Sequence, residues 1–525
     1  MNTIDWLYIV FYYINFAAII LVTLQFLPQG IFYLFFWLPR KHWKKAKKEK
    51  KAFILICAHD EEDVIQKTIY HLLHTLDYPK ERYKIYVCCH NCKDKTYDNA
   101  KKAGAEVLVL DDPDPRHGCV AYPLRYATKE ILQREPDFDF LVRIDADNLL
   151  CPSFLREMNN SISHGARIVR AYEAASNLKQ NLWTQQSAIF YAKDSSIQNR
   201  FRQVVHSTAM MPGPGLTMTR EVLEKMGGWD CMSMAEDAEF TFNRLFDGYK
   251  IYFNTDAIVY EDQPSSFADT RKRLTRLGGS LTKLFFTDGW KMMVSFLRTG
   301  NPMYLDMLLQ VGFNPISVIC FTWFPLYYAS YAVLMLLEMN GIQIFSPQFF
   351  TYDLYSLANI FQFTSAPTAN IIFTNEHGLY QSIIFNQIHI FQGSLGSFPS
   401  WAASQAFYGL LAMAVQVIVV LVIFCIFQSY VALMMDHRKL GLSWKLEGMW
   451  KGILLSPIFT FVYGLCNVLG VLTKTKWKVA KRNPSETKIL NPLPEKKEIR
   501  RTFEVSSRDQ RRYQGNWWKK KNLKD

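Results

Sequence analysis

From position 299 to position 437 the sequence contains no lysine and no arginine. The apolar runs in this stretch are separated by Asn, Gln, Ser and Thr, so it is cationic charge that is missing, not polarity. Loops kept on the cytosolic side of a membrane carry an excess of Lys and Arg. The absence therefore excludes a cytosolic loop and points to an external one. Paired cysteines are missing too: of ten in the chain, seven fall between Cys57 and Cys231 with no spacing of a disulfide framework. The run Cys88-Cys89-His90-Asn91-Cys92 has ligand-type residues, but no second CxxC or HxxxH completes a zinc site. It reads as a buried strand ending in a turn. No basic leader or small-residue cleavage site precedes the first charges, which excludes a removable signal peptide. No nucleic-acid-binding motif accompanies the net charge of +13.

That charge is concentrated in two places, Arg40–Lys51 and the tail after Thr473, both beside apolar segments. Cations next to apolar runs fit anionic lipid headgroups on the cytosolic face better than nucleic acid. The composition is 49% hydrophobic and 15% aromatic, yet mean hydropathy is near zero, at −0.05. Apolar and polar segments are thus segregated. Ile4–Leu27 is long enough to cross a bilayer. Leu27-Pro28-Gln29-Gly30 is expected to break it, leaving Ile31–Leu38 at the interface. Val311–Leu337 and Phe407–Leu433 are further spans, and Gly289–Leu297 has the aromatic and Met face of a helix lying in the membrane surface. Gly452–Thr473 has spanning length but basic residues on both sides. The expectation is a re-entrant or interfacial hairpin broken at Ser456-Pro457, with a cytosolic, partly disordered tail whose Trp517-Trp518 touches the membrane. The organisation expected is 1–38 membrane helix and interfacial segment, 39–285 soluble domain, 286–473 membrane region with an external loop, and 474–525 basic tail.

Between Ala52 and Thr282 the pattern changes. AFILICA, YKIYVCC, AEVLVL, FDFLVRID and ARIVRAY read as strands, and VIQKTIYHLLHTL and YDNAKKAG as helices between them. Alternation of this kind predicts an α/β domain on a parallel sheet.

Four acidic or glycine-rich blocks punctuate that domain. Cys57-Ala58-His59-Asp60-Glu61-Glu62 closes the first strand ahead of a helix, where a nucleotide can sit; capping is the ordinary alternative. Asp145-Ala146-Asp147-Asn148 closes an apolar strand, and two carboxylates so spaced can converge on Mg²⁺ or Mn²⁺. Met211-Pro212-Gly213-Pro214-Gly215 is followed by Gly227-Gly228-Trp229-Asp230 and Ala235-Glu236-Asp237, an acidic pair opening a helix where a general base can stand. Glu261-Asp262-Gln263-Pro264 leads to Arg271, Arg273 and Arg276, whose guanidinium forks match diphosphate oxygens.

In order and spacing these blocks resemble the family-2 glycosyltransferases, and with the flanking apolar segments their processive membrane synthases of cellulose, hyaluronan and chitin type. AHDEE resembles the family's nucleotide-binding AHNEE, Asn91-Cys92-Lys93-Asp94-Lys95-Thr96 its NCxDxT loop, Asp145-Ala146-Asp147 its DxD, and Ala235-Glu236-Asp237 its TED. The chain departs from the pattern where QxxRW becomes Arg273-Leu274-Thr275-Arg276-Leu277, where His90 replaces an Asp before the NC loop, and where His117-Gly118 replaces Lys-Gly. The resemblance implies a Rossmann-like GT-A domain, cytosolic and embedded in transmembrane helices of a cell membrane, of bacterial type. It implies a UDP-sugar held at Ala58, Glu61, Asp94, Asp145 and Arg276, a divalent cation on Asp145 and Asp147, an acceptor near Gly213 and Glu236, and Asp237 as catalytic base. The expected activity is inverting polymerisation of UDP-glucose into an exported, capsule-type β-glucan. UDP-N-acetylglucosamine as donor, single transfer to polyprenyl phosphate, and a nucleotide-binding transporter or receptor without catalysis are the alternatives.

Overall fold

The computed structural model describes residues 2–38, 41–114, 117–211, 213–346, 370–374, 379–384, 387–392, 398–473 and 501–503. By contact density it divides into one unit of 1–27 with 316–425 and another of 28–315 with 426–525.

The second unit holds an eight-stranded sheet: β1 (Ala52–Ala58), β2 (Tyr83–His90), β3 (Glu106–Leu110), β4 (Phe140–Asp145), β5 (Leu149–Leu150), β6 (Ile168–Ala175), β7 (Leu216–Thr219) and β8 (Ile251–Glu261). Their order across the sheet is β3-β2-β1-β4-β7-β6-β8-β5. All five expected strands are present, rich in β-branched and aromatic residues, and β1 is buried along almost its whole length, as a strand covered by helices on both faces must be. The sheet is mixed, however, where a parallel one was expected. β1 to β4 pair parallel, but β7 runs antiparallel to both β4 and β6. Short β7 carries no sign of its direction, because pairing is settled by distant partners. The reversal delivers Gly213–Gly215 beside the end of β4, where Gly215 N–H donates to Arg143 O at 2.9 Å.

Three expectations about helices are corrected. Pro28 does not end the first helix, which runs unbroken over Thr3–Leu34 and takes in half of the segment expected to lie separately. Gly289–Leu297 is not a helix of its own; it is the end of one helix over Phe267–Thr299, capped by Ser266 Oγ accepting from Asp269 N–H at 3.1 Å and closed by Gly300. Trp450–Leu472 is a continuous helix, not a hairpin broken at Ser456-Pro457. Proline deprives Ile453 O of its usual N–H partner, and the Ser456 hydroxyl donates to that same oxygen at 2.8 Å. Serine beside proline here mends the helix.

Trp450–Leu472 packs along Phe267–Thr299 through Leu274, Phe459, Tyr463 and Cys466, and at the glycines no side chain lies between them. A Cβ on Gly470 would stand 2.3 Å from Thr275 O, and one on Gly279 2.5 Å from Gly470 O. Gln185 and Gln186 of helix Leu182–Ala192 donate to Gly448 O and Gly452 O at the other end. In the same unit Arg501–Phe503 pairs parallel with Lys41–Trp43.

In the first unit, buried Asp5 accepts from Ser346 N–H at 3.0 Å, and buried Glu338 accepts from Ile344 and Phe345 N–H at 2.6 and 2.5 Å. Helical turns continue from Pro302 through a π-turn at Ile319–Trp323 to Met339. Strands Asn370–Thr374, Leu379–Ile384 and Gln387–Gln392 form an antiparallel meander within the cation-free stretch. Among the described residues four helical segments, Thr3–Leu34, Pro302–Met339, Val417–Met435 and Trp450–Leu472, are long and apolar enough to cross a membrane. Trp517-Trp518 and most of the tail lie outside the described residues.

Because backbone touches backbone at Gly470, Gly470→Val is expected to destabilise the protein by ~1–3 kcal/mol, read as a lowered thermal midpoint in detergent. Gly30→Ala, with nothing within 4 Å of the added Cβ, should be neutral or stabilising. Equal effects of the two would remove the close crossing as a source of stability.

Candidate active site

Parallel pairing of β1, β2 and β4 sets their C-terminal ends side by side: Cys57 lies opposite both Cys88 and Asp145, and Ala58 opposite Cys89. Residues closing these strands therefore share one edge, where ligands bind in open α/β sheets. Ala58 is buried there and forms its floor. The next residues bend through left-handed backbone at Asp60 and Asn91, with φ of 53° and 51°.

Asp94 and Glu61 meet on this edge. Asp94 accepts from Thr96 N–H at 2.9 Å, from the Thr96 hydroxyl at 2.5 Å and from Glu62 N–H at 3.0 Å. Burial opposes ionisation of Asp94, but these hydrogen bonds outweigh it and hold the carboxyl below its ordinary range. Thr96 Oγ1 in turn accepts Glu61 N–H at 2.7 Å. Ligand atoms of Asp60, Cys92 and Asp94 lie within 4.8 Å of one another; Asp60 already accepts Lys93 N–H at 2.7 Å, so the group acts as a latch between the two loops. The expected buried strand and turn at Cys88–Cys92 is what forms.

Asp145 and Asp147 occupy one turn. Asn148 Oδ1 accepts Asp145 N–H at 2.8 Å, and Asn148 Nδ2 donates to Asp147 Oδ1 at 3.4 Å. The DxD and the acidic pair are joined by a residue the motif reading passed over. Arg143 is 4% exposed, and its Nη2 lies 3.4 Å from Asp145 Oδ1 and 3.3 Å from Glu236 Oε1. A guanidinium two residues before Asp145 falls on the same strand face; an arginine inside an otherwise apolar strand was the available signal.

Glu236 and Asp237 open the helix Glu236–Phe246, whose N-terminal dipole favours acidic residues. Asp237 Oδ1 accepts Ala238 N–H at 2.7 Å. Burial, and then the adjacent Asp237, push the Glu236 carboxyl up to about 7 against the pull of Arg143. Asp237 is also raised, by burial, with Ala238 N–H, Arg143 and Arg276 opposing. Gly213 faces this group: its φ is +114°, and a Cβ there would stand 3.1 Å from Arg143 Nη1 and 3.7 Å from Asp237 Oδ2. The other glycine-rich block does not reach the carboxylates. Trp229 is buried and stacked on Phe240, centroids 5.1 Å apart, and its N–H donates to Thr128.

The three arginines expected at the diphosphate separate. Arg271 is exposed. Arg273 donates to Glu261 Oε1 at 3.2 Å, to Gln263 Oε1 at 3.1 Å and to the Tyr191 hydroxyl. Only Arg276 is electrostatically coupled to Glu236, Asp237 and Asp145 together; burial and then Arg273 press its pKa down. Beside Arg273 lies Glu173, 1% exposed, whose carboxyl burial and then Glu261 push well up.

The sheet and its acidic edge have the form of a GT-A-like α/β fold. Residues 51–280 match the family described as "Glycosyltransferase like family 2". The chain is similar to the probable glycosyltransferase YdaM of Bacillus subtilis, 27% identical over 272 residues, 49% of this chain and 62% of that relative. It is likewise similar to the beta-monoglucosyldiacylglycerol synthase of Trichormus variabilis, 26% identical over 225 residues, 40% of this chain and 45% of the relative. The chain thus spans less than two thirds of the length of either relative. The mannosyltransferase PcManGT from Pyrobaculum calidifontis, solved with GDP-Man and Mn²⁺, is 16% identical with a TM-score of 0.38 over 56% of this chain and 84% of that one, too loose a likeness to inform the site.

Removing Arg143 leaves buried carboxylates uncompensated, so Arg143→Met is expected to cost ~3–5 kcal/mol of stability. Glu236 binds its proton more tightly when folded, at about 7 against an ordinary 4.5. Its contribution to stability is therefore full below its unfolded value and lost as pH rises through its folded one. Relative to Glu236→Gln, the wild type should gain stability as pH falls from about 7 towards 4.5, measured by thermal unfolding with chelator present. A difference that does not vary with pH would remove the raised carboxyl.

Proposed function

We propose that the protein is an inverting glycosyltransferase drawing on a UDP-sugar, with glucose the favoured sugar, and building a β-linked glycan at a membrane. The observation that carries this reading is the meeting of Asp145, Glu236 and Asp237 around Arg143 at the strand ends. In direct displacement the acceptor hydroxyl attacks the anomeric carbon, the bond to the diphosphate breaks, and UDP leaves with the electron pair. Asp237 takes the hydroxyl proton; its raised pKa suits a base that must hold that proton. Glu236, tied to Arg143, positions the acceptor beside Gly213. Arg276 faces the leaving diphosphate, while Ala58, Glu61 and Asp94 shape the nucleotide end.

Asp145 and Asp147 offer hard oxygen ligands on one turn, side by side through Asn148, and this donor set fits Mg²⁺ or Mn²⁺. Such an ion would supply charge neutralisation of the diphosphate.

Support for a membrane-delivered glycan comes from the helices. Phe267–Thr299 carries Arg276 and packs directly on the membrane-length helix Trp450–Leu472. In the proposed topology Lys48 and Arg511 are cytosolic and Asn375 is external; positions 375 and 511 lie outside the described residues. The pairing of Arg501–Phe503 with Lys41–Trp43 supports a tail on the same side as Lys41. A second reading, transfer of a single sugar to a lipid, is favoured by the glycolipid-synthase relatives and by apolar Leu277 where the resembled family has a sugar-contacting Trp. Purified protein given each UDP-sugar with and without diacylglycerol separates the two: polymer cut by linkage-specific hydrolases supports the first, a chromatographically resolved glycolipid the second.

Asp237→Asn is expected to lower turnover by at least ~10²-fold while UDP still binds. Near-normal transfer by the variant would remove Asp237 from the role of base. Asp147→Ala should abolish the dependence of UDP affinity on Mn²⁺, followed by calorimetric titration; equal UDP affinity of chelator-treated wild type would count against the metal site.

A further inference from the structure

Cys89 and Cys92 stand at the CxxC spacing, the one at which a pair of thiols most readily exchanges with a disulfide, and no step above uses them. Cys89 is buried near the end of β2, and Cys92 is half-buried in the turn that follows. Left-handed backbone at Asn91, with φ of 51°, folds that turn back on the strand. Both cysteines arrive at Ala58. Cys89 lies opposite it in the parallel pairing of β1 and β2, and Cys92 Sγ donates to Ala58 O at 3.5 Å. The two thiols hydrogen-bond to each other. Cys88 takes no part: successive strand residues point to opposite faces, and it lies opposite Cys57.

The neighbouring carboxylates are committed elsewhere. Asp60 accepts Lys93 N–H at 2.7 Å, and Asp94 accepts from Thr96 and from Glu62 N–H. The thiols are therefore left with each other. The hydrogen bond from Cys89 presses the Cys92 thiol down to about 7 against its burial, while Cys89 is raised. Near neutral pH part of Cys92 is thiolate, the attacking form, and Cys89 stands beside it as the resolving thiol.

We infer that Cys89 and Cys92 form a reversible disulfide by exchange with a small-molecule disulfide, and that closing it loosens the nucleotide end of the edge. The second half of this rests on the edge being a nucleoside-diphosphate-sugar site. The Cys92 thiolate attacks one sulfur of the small disulfide, and one small thiolate leaves. Cys89 gives up its proton and attacks Cys92 Sγ in the mixed disulfide, and the second small thiolate leaves. The protein loses two electrons and two protons, and the small disulfide becomes two thiols. The new bond takes Cys92 Sγ away from Ala58 O. It also pulls on the latch in which Asp60 holds Lys93 and Asp94 holds Glu62.

Full-length protein in detergent is incubated with glutathione disulfide or with dithiothreitol, then alkylated under denaturing conditions and digested with trypsin. The peptide Ile85–Lys93 contains Cys88, Cys89 and Cys92. After oxidation it should carry alkylation on Cys88 alone, and after reduction on all three. UDP affinity, titrated calorimetrically with Mn²⁺, should fall about threefold or more on oxidation, as for a lost hydrogen bond, and return with reductant. Cys89→Ala should match the reduced wild type and not respond to oxidant. Absence of the Cys89–Cys92 link overturns the inference, as does a link that leaves UDP affinity unchanged. An equal response in Cys89→Ala, the mark of a mixed disulfide on Cys92 alone, overturns it too. If reduced Cys89→Ala does not bind UDP, the wild-type link and its reversal by reductant decide. Failure of the donor-site reading is distinct: reduced wild type would then not bind UDP, while the link still forms.

Discussion

Like charges set the terms at the strand ends. Two carboxylates ~4 Å apart repel by on the order of 4 kcal/mol at an effective dielectric of about 20, and Asp145, Glu236 and Asp237 crowd one edge. The guanidinium of Arg143, touching both Asp145 and Glu236, makes that crowding tolerable. Because it bridges, it also sets the spacing between Asp145 and Glu236. The antiparallel run of β7 follows the same logic: Leu216 pairs with Arg143, so the turn bearing Gly213 arrives over the guanidinium. Any side chain at 213 would fill the space between the Arg143 guanidinium and the Asp237 carboxylate.

Much of this was legible from residue patterns. Strand–helix alternation over 52–175 gave five strands close to their true ends, because short β-branched runs bounded by polar loops have few other ways to bury themselves. The acidic blocks were found because carboxylates at strand ends and helix starts are locally meaningful. What could not be read was non-local. The direction of β7 depends on β4 and β6, both distant in sequence, and Arg143 is a site residue only once Glu236 arrives beside it. Prolines misled for a different reason. Pro28 and Pro457 read locally as breaks, yet both helices run on through them, and at Pro457 the adjacent serine supplies the missing hydrogen bond.

Departures from the family pattern are matched elsewhere in the chain. Where the resembled family carries a glutamine, Arg273 introduces a cation; around it stand Glu261, Gln263 and Tyr191, with Glu173 buried alongside. Half-buried Arg273 thus has acidic and polar partners around it, so a substitution that looks isolated in sequence belongs to a set.

The crossing of Phe267–Thr299 and Trp450–Leu472 has a mechanical consequence. Side chains between helices act as a compliant layer, but at Gly279 and Gly470 that layer is missing and peptide groups bear on one another. Such a contact transmits displacement without slack. Arg276 lies one helical turn before Gly279, so axial movement of the apolar helix is delivered to the guanidinium undamped. The reactive edge is thereby geared to a helix of membrane length, and its working alignment is referenced to whatever medium that helix is immersed in.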